Sequence, residues 1–363
     1  MTAIASQPTT GIVNSLTTGR LPRWAPWALL GGSWLIFIII FSLIAGASDG
    51  ESFNIAGALF FGTILFDGLL FVLSWLVEGS RQARDRLVTS LVATAFIVAL
   101  LPLVSLLFTV LSNGLARFDI DFFSNSMRNV VGEGGGALHA ITGTLLITGM
   151  AALISVPVGL LTSIYLVEYG RGPLARAITF FVDVMTGIPS IVAGLFAFAF
   201  FSLLFQDPGI RFGFGGSVAL SLLMIPVVVR SSEEMLRIVP NELREAAYAL
   251  GVPKWLTILK VVIPTALAGI ATGVTLAISR VIGETAPLLI VAGFTASMNY
   301  DIFSEQMMSL PVFLYTQYSI PGIDPLPYLD RAWAAALTLI LIVMVLNLIA
   351  RLIAKFFSPK LGR

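Results

Sequence analysis

Two charged residues stand where a membrane-spanning stretch excludes most charges. Arg280 lies deep in the apolar run 262–291, and Glu284 follows four residues later. A guanidinium at mid-membrane costs about 2.5–3.5 kcal/mol on insertion scales, so its presence needs a reason. Two chemistries supply one. Arg280 and Glu284 share a helix face at i, i+4 spacing and pair to fix helix packing, or the guanidinium fork lines the route of an anion bearing phosphate or carboxylate oxygens. Arg230, with Glu233 and Glu234 one turn on, is the second candidate. Its place near the end of a span equally allows it to snorkel to the interface. Asp67 and Asp183, also in apolar surroundings, fit hydrogen-bonding contacts between helices better than sites.

Other chemistries lack their residues. The 363-residue chain has no cysteine and one histidine, His139, so thiolate chemistry and a multi-histidine metal shell are not expected. A serine–histidine pair would have to use His139, at the start of a span. The lysines are Lys254, Lys260, Lys355 and Lys360, and none follows the glycine spacing of a phosphate-binding loop, so the chain has no P-loop with which to hydrolyse ATP. No cofactor is implied.

A third segment carries a different signal. Pro240-Asn241-Glu242-Leu243-Arg244-Glu245-Ala246-Ala247-Tyr248-Ala249-Leu250-Gly251-Val252-Pro253 separates two apolar runs. Asn241 suits an N-cap, Glu242 and Glu245 suit the positive end of a helix dipole, and Gly251 with Pro253 ends the helix. Leu243, Ala246, Ala247 and Leu250 fall at i, i+3, i+4 and i+7 and predict one apolar face. That face lies on the membrane, on the chain's own bundle, or on another protein.

Around these residues the composition is that of a membrane protein: 57% hydrophobic and 11% charged, against roughly 25% charged in soluble domains. Crossing the hydrocarbon core takes roughly 20 apolar helical residues. Runs of that kind occupy 27–46, 54–77, 87–111, 139–167, 177–204, 216–235, 262–291 and 331–356. An all-α bundle of about eight helices follows, because backbone groups in lipid must bond within their own segment. With the N-terminus inside, 16 of the 21 Lys and Arg fall on the cytoplasmic side; Arg117, Arg128, Arg211 and Arg331 fall opposite, and Arg280 within a span. Both termini are therefore expected in the cytoplasm. The net charge of +1 offers nothing to a nucleic acid.

The first span is longer than a signal-peptide core, so it is expected to be retained despite Ala45-Gly46-Ala47 at its end. The Ser- and Thr-rich segment 1–20 is expected to be disordered. Outside, Gly132-Glu133-Gly134-Gly135-Gly136 is flexible by composition, and Leu310-Pro311-Val312-Phe313-Leu314-Tyr315, within 292–330, is apolar enough to lie at the interface.

Residue order narrows the choice for 240–253. Glu245-Ala246-Ala247, three residues, Gly251, nine residues, then Val261-Val262-Ile263-Pro264 resembles the signature loop of ABC-importer permeases, E-A-A, three residues, G, nine residues, I-x-L-P. Val261 and Ile263 are conservative departures. Arg280-Val281-Ile282-Gly283-Glu284-Thr285-Ala286-Pro287-Leu288-Leu289 resembles the G-E-T-A-P-L-L segment of phosphate-importer permeases of the PstA type. Gly187-Ile188-Pro189-Ser190-Ile191-Val192-Ala193-Gly194-Leu195-Phe196 is similar to their G-x-P-S-I-V-x-G-L-F, and Ser309-Leu310-Pro311 also matches.

The resemblance implies a type I ABC-importer permease core at 138–356, with a docking loop at 236–261. Ahead of it stand a cytoplasmic tail (1–26), an extra transmembrane hairpin (27–78), and a leading core helix with its outer loop (79–137); a tail follows at 357–363. It implies a non-catalytic subunit in the bacterial inner membrane. Leu243, Arg244, Glu245, Ala246, Ala247, Leu250 and Gly251 would dock on a separate ATPase present in two copies. Arg280, Glu284 and Arg230 would line the pathway. A second, homologous permease and an extracytoplasmic phosphate-binding protein would complete the importer. Another oxyanion such as sulfate or molybdate, or an ATP-independent secondary transporter or channel, fits the helices and Arg280 as well, but a secondary transporter leaves the loop without a purpose.

Overall fold

The structure, a computed structural model, describes residues 21–47 and 54–357, and the described residues are helical or irregular with no strand. The expectations for 1–20 and for the C-terminal tail from 358 onward lie outside the described residues. The helices are α1 (Ala25–Ala47), α2 (Ile55–Glu78), α3 (Ser80–Gly114), α4 (Leu138–Tyr169, its last turn a π-helix), α5 (Pro173–Thr186), α6 (Ser190–Phe205) and α7 (Gly213–Ile238). There follow α8 (Asn241–Ala249), α9 (Lys254–Val281, with a π-helical turn at Ile258–Val262), α10 (Ala286–Val291), α11 (Leu310–Ser319) and α12 (Leu326–Phe357). Seven of these are long and apolar enough to cross a membrane, or up to eight if α5 and α6 count as one bent span.

Two predicted spans are broken. The run 177–204 is not one helix: α5 and α6 meet at 109° across Gly187, Ile188 and Pro189. Pro189 has no N–H to donate and disfavours helical geometry in the residue before it, a constraint to which hydropathy is blind. The run 262–291 is likewise interrupted. Helix α9 ends at Val281, residues 282–285 turn, and α10 restarts with Pro287 in its first turn, where a missing N–H costs nothing.

The chain divides into two compact units, Met1–Leu107 and Phe108–Arg363, the boundary falling within α3. In the first, α1 and α2 form a hairpin. Gly57 and Gly62 admit Phe41 and Trp34, and the Trp34 indole donates to Thr63 Oγ1 at 3.1 Å. Arg86 at the start of α3 bonds Glu78 at the end of α2 (2.6 Å), and Ser74 donates to the same carboxylate. Asp67 is buried in the hairpin, and its Oδ1 has no hydrogen-bond partner among the described residues, contrary to the expected interhelical bond.

The second unit is built on α4 against α7, two helices faced with small residues. Between apolar helices in lipid, close backbone approach and polar bonds replace the hydrophobic drive. Ser217 Oγ donates to Ile147 O (3.0 Å), Ser221 Oγ to Ala151 O (3.4 Å), and Gly159 leaves room for Val228. On its other side α7 meets α9 through Gly269 against Met235 and Gly273 against Ser231. Any side chain at those glycines would collide.

The segments expected on the outer side are ordered, which corrects two expectations. Gly132, Gly134 and Gly135 have φ of 81°, 86° and 66°, conformations that only glycine adopts without cost. Arg331 donates to the carbonyls of Gly132 (2.7 Å) and Gly134 (3.0 Å), and Arg117 donates to that of Gly135 (2.9 Å). Arg331 also bonds Gln317 and is fully buried. The glycine run is thus held by two arginines rather than left flexible. Leu310, Val312 and Phe313 are also fully buried, so α11 begins inside the protein and not at the interface. The Leu310 N–H donates to Thr144 Oγ1 (2.7 Å), and Gly143 packs on the Met308 carbonyl. Nearby Asp301 accepts from the Phe303 N–H and the Ser304 hydroxyl, bonds that hold its carboxyl below the usual range.

Candidate functional site: a strapped loop helix and an open arginine

Helix α8 is short, and its ends are defined by backbone chemistry. At the C-terminus the Gly251 N–H bonds Tyr248 O (2.9 Å) and the Val252 N–H bonds Ala247 O (3.1 Å), the paired bonds of a Schellman motif. The motif needs a left-handed residue, and Gly251 has φ 75°. At the N-terminus Asn241 is the first helical residue and makes no capping bond, which corrects its expected role; its Oδ1 accepts from Arg244 instead (3.2 Å).

Arg244 turns back into the bundle. It bonds the Glu168 carboxylate (3.0 Å), Val239 O (2.6 Å) and Leu236 O (3.0 Å), with its side chain 11% exposed and that of Glu168 5%. Lys254, the first residue of α9, donates to Glu168 O and lies 4.7 Å from the Tyr169 ring centroid. Arg244 and Lys254, on either side of the Gly251 turn, are therefore both strapped to the π-turn that closes α4.

The expected apolar face is split by this arrangement. Ala247 is buried against the chain, whereas Leu243, Glu245, Ala246, Tyr248 and Leu250 are exposed, Leu250 to 84%. Period alone could not show which side would be covered. Glu168 was missed: it stands at the end of a predicted span 76 residues from Arg244, and no local pattern joins the two.

Arg280 occupies the last turn of α9 and is exposed, with no hydrogen bond or ion pair among the described residues. It does not pair with Glu284. The helix stops at Val281, so the i, i+4 register that would face them together is lost before Glu284, whose N–H bonds Val281 O at 3.1 Å. Beyond the break, α10 is wedged against α6 and α7. A Cβ at Gly194 would stand 2.6 Å from Pro287 Cα, and one at Gly216 3.0 Å from Leu288. The two motif segments, 187–196 and 280–289, thus pack on each other. Their contact fixes the turn that presents Arg280.

Arg230 stands in an ion-pair network near the end of α7. It bonds Asp183 of α5 and Glu233 (3.0 Å), and Glu233 also takes Arg237 (2.7 Å). This network ties α5 to α7, as expected of Asp183, and occupies the Arg230 guanidinium locally. Among the described residues no group of three or more His, Cys, Asp or Glu could hold a metal.

Residues 155–363 match the family described as binding-protein-dependent transport system inner membrane component. The phosphate transport system permease protein PstA 1 of Mycobacterium tuberculosis is 48% identical over 278 residues, covering 75% of this chain and 88% of that protein. This chain belongs to that family, as a permease of the PstA type. The PstA of Mycobacterium leprae is 49% identical over 275 residues (74% and 88% covered), and that of Haemophilus influenzae 38% over 281 (77% and 96%). In fold, the permease resembles a chain of a bacterial alginate ABC transporter crystallised with its alginate-loaded periplasmic protein. The TM-score is 0.55 at 15% identity, with 77% of this chain and 97% of that one covered. The permease is a multi-pass inner-membrane component.

Proposed function

We propose that this permease forms half of the membrane pathway of an ATP-driven importer of inorganic phosphate. The relatives' names supply the substrate. The lever helix supports the coupling: an exposed strip at Leu243, Ala246 and Leu250 on a short helix that Arg244 ties to Glu168, with Lys254 of α9 bonded to the same residue. A separate ATPase, in two copies, grips this strip on each of two homologous permeases, and an extracytoplasmic phosphate-binding protein delivers the anion. The termini and α8 lie in the cytoplasm, and the α1–α2 hairpin is an appendage to the core. ATP favours one of two arrangements of the helices by differential binding, and α8 carries that bias into α9.

Arg280 is the pathway residue, with Glu284 beside the same turn. Its guanidinium is exposed and has no hydrogen bond or ion pair among the described residues, so it is available to a phosphate oxygen. A charge-assisted hydrogen bond is worth about 1.5–3 kcal/mol, or roughly 10–150-fold in rate. A pathway site must also let go, so this contact is one weak step and not a tight seat. Arg280→Gln is expected to lower ATP-dependent phosphate uptake into vesicles by at least about tenfold, while the ATPase and second permease still co-purify. Uptake at the normal rate removes Arg280 from the pathway, and phosphate entry without nucleotide removes the importer mechanism.

A further inference from the structure

Helix α5 has three faces with different surroundings. Val182 and Ile178 pack on Leu166 and Val229 inside the unit. Leu174, Phe180, Phe181 and Val184 are 59%, 63%, 63% and 47% exposed, an apolar flank on a helix turned 109° from the span that follows it. Arg176, Thr179 and Asp183, at i, i+3 and i+7, form a polar edge. An amphipathic helix of this kind lies in the interface plane, apolar side toward the acyl chains.

Beside the polar edge is a cleft of about 260 Å³ lined by Leu166, Ala175, Arg176, Thr179, Glu233 and Arg237. Leu166 and Ala175 give it an apolar side, and two arginines from different helices stand over it. Arg176 is exposed, and its side chain makes no hydrogen bond or ion pair among the described residues. Arg237 spends one nitrogen on Glu233 and has a side chain 66% exposed. Most donors of both forks are thus open to an outside acceptor. The cleft is lined by two guanidinium groups (Arg176, Arg237) and one carboxylate (Glu233), leaving one positive charge.

We propose that this cleft binds the headgroup of an anionic glycerophospholipid, Arg176 and Arg237 forking onto its phosphodiester while the acyl chains follow the flank of Leu174, Phe180 and Phe181. Basic pockets between membrane helices near the interface take phospholipid headgroups in this way, and arginine matches phosphate oxygens two at a time. Free inorganic phosphate offers the same oxygens, but the geometry favours lipid. A single surplus charge matches a monoanionic diester and not a dianion, and the cleft runs into an apolar flank that inorganic phosphate cannot use. A lipid seated there pins α5 against α7 and steadies the elbow from which α6 departs. The inference takes from the proposed function only the leaflet concerned, and its test reads binding, not transport.

The full-length chain is reconstituted in phosphatidylcholine vesicles containing a trace of a diazirine-bearing phosphatidylglycerol or, separately, of the same probe on phosphatidylcholine. After irradiation, peptides are mapped by mass spectrometry. Phosphatidylglycerol adducts are expected within 166–179 and 233–237, reduced about fivefold by Arg176→Gln and about 25-fold by Arg176→Gln with Arg237→Gln. Arg176→Lys should restore most of the labelling. Because the Arg176 side chain has no partner among the described residues, its replacement tests the cleft without disturbing the fold. Equal labelling by the phosphatidylcholine probe, or labelling indifferent to Arg176→Gln, overturns the proposal. Displacement of the probe by millimolar inorganic phosphate also overturns it and assigns the cleft to the free anion.

Discussion

Replacing Gly251 separates two explanations for the glycine in the lever loop. Gly251 adopts φ 75°, and its N–H and that of Val252 close the Schellman bonds that end α8. A Cβ built there meets nothing within 4 Å among the described residues. Within the subunit the whole cost of a side chain is therefore conformational, roughly 1–2 kcal/mol for a left-handed L-residue, or about a 5–30-fold shift away from the closed end. Asparagine visits this region far more readily than alanine or valine. The backbone account orders the variants Gly251→Asn mildest, then Gly251→Ala, then Gly251→Val. A glycine kept bare so that another protein can approach orders them by size, with Gly251→Ala mildest. Hydrogen exchange of the amides around 247–252 reports the closed end, and ATPase co-purification reports docking. If Gly251→Asn loses more ATPase than Gly251→Ala, the conformational reasoning is wrong and contact with the partner sets the residue.

Other substitutions test the frame that holds the site. Arg331→Met strands the Gly132 and Gly134 carbonyls and Gln317 in a buried place, so it should cost about 2–4 kcal/mol and lower the thermal midpoint in detergent, whereas Arg280→Gln should leave that midpoint unmoved. Arg244→Ala leaves the Glu168 carboxylate buried and unpaired and should release the loop by about 3–5 kcal/mol. Adding Glu168→Gln should recover part of that loss, measured by limited proteolysis across 239–254; strictly additive effects would mean the pair does not strap the loop. Gly143→Ala would place a Cβ 1.9 Å from the Met308 carbonyl and should abolish a monodisperse product, whereas Gly149→Ala, with nothing within 4 Å, should be tolerated.

How far these features were legible depends on what kind of force sets them. Span positions follow from run length, and six of the eight predicted runs appear as continuous helices. The two that do not are interrupted at Pro189 and at Gly283–Thr285, where hydrogen-bond supply and not hydropathy decides. The Arg280–Glu284 pairing failed for the same reason: its register assumed an uninterrupted helix. Periodicity located α8 and its Gly251 stop correctly, since both are local properties. It could not tell that Arg244 folds inward, because that depends on Glu168, 76 residues away in the chain. Arg331 was counted only as an outer-side charge. Its burial rests on glycine carbonyls up to 199 residues distant, and nothing near it in sequence signals them.

The packing also dictates how a push on α8 would travel under the proposed mechanism. Helix α9 begins three residues after the Gly251 turn and runs 28 residues, about 42 Å, before it stops beside Arg280. Along the way it cannot slip against α7 freely, because Gly269 and Gly273 hold Met235 and Ser231 closer than any larger residue would allow. Helix α7 is in turn bonded to α4 through Ser217 and Ser221, and α4 ends at the Glu168 strap where the push enters. A displacement of the lever is therefore shared by α4, α7 and α9 as one block. The slack lies where the helices are interrupted and only turn bonds remain, at residues 187–189 and 282–285, and the Gly194–Pro287 contact joins the helices that restart after these two turns. Motion of a stiff block against those turns concentrates the change at Arg280, which places the exposed guanidinium at a hinge and not along a rigid wall.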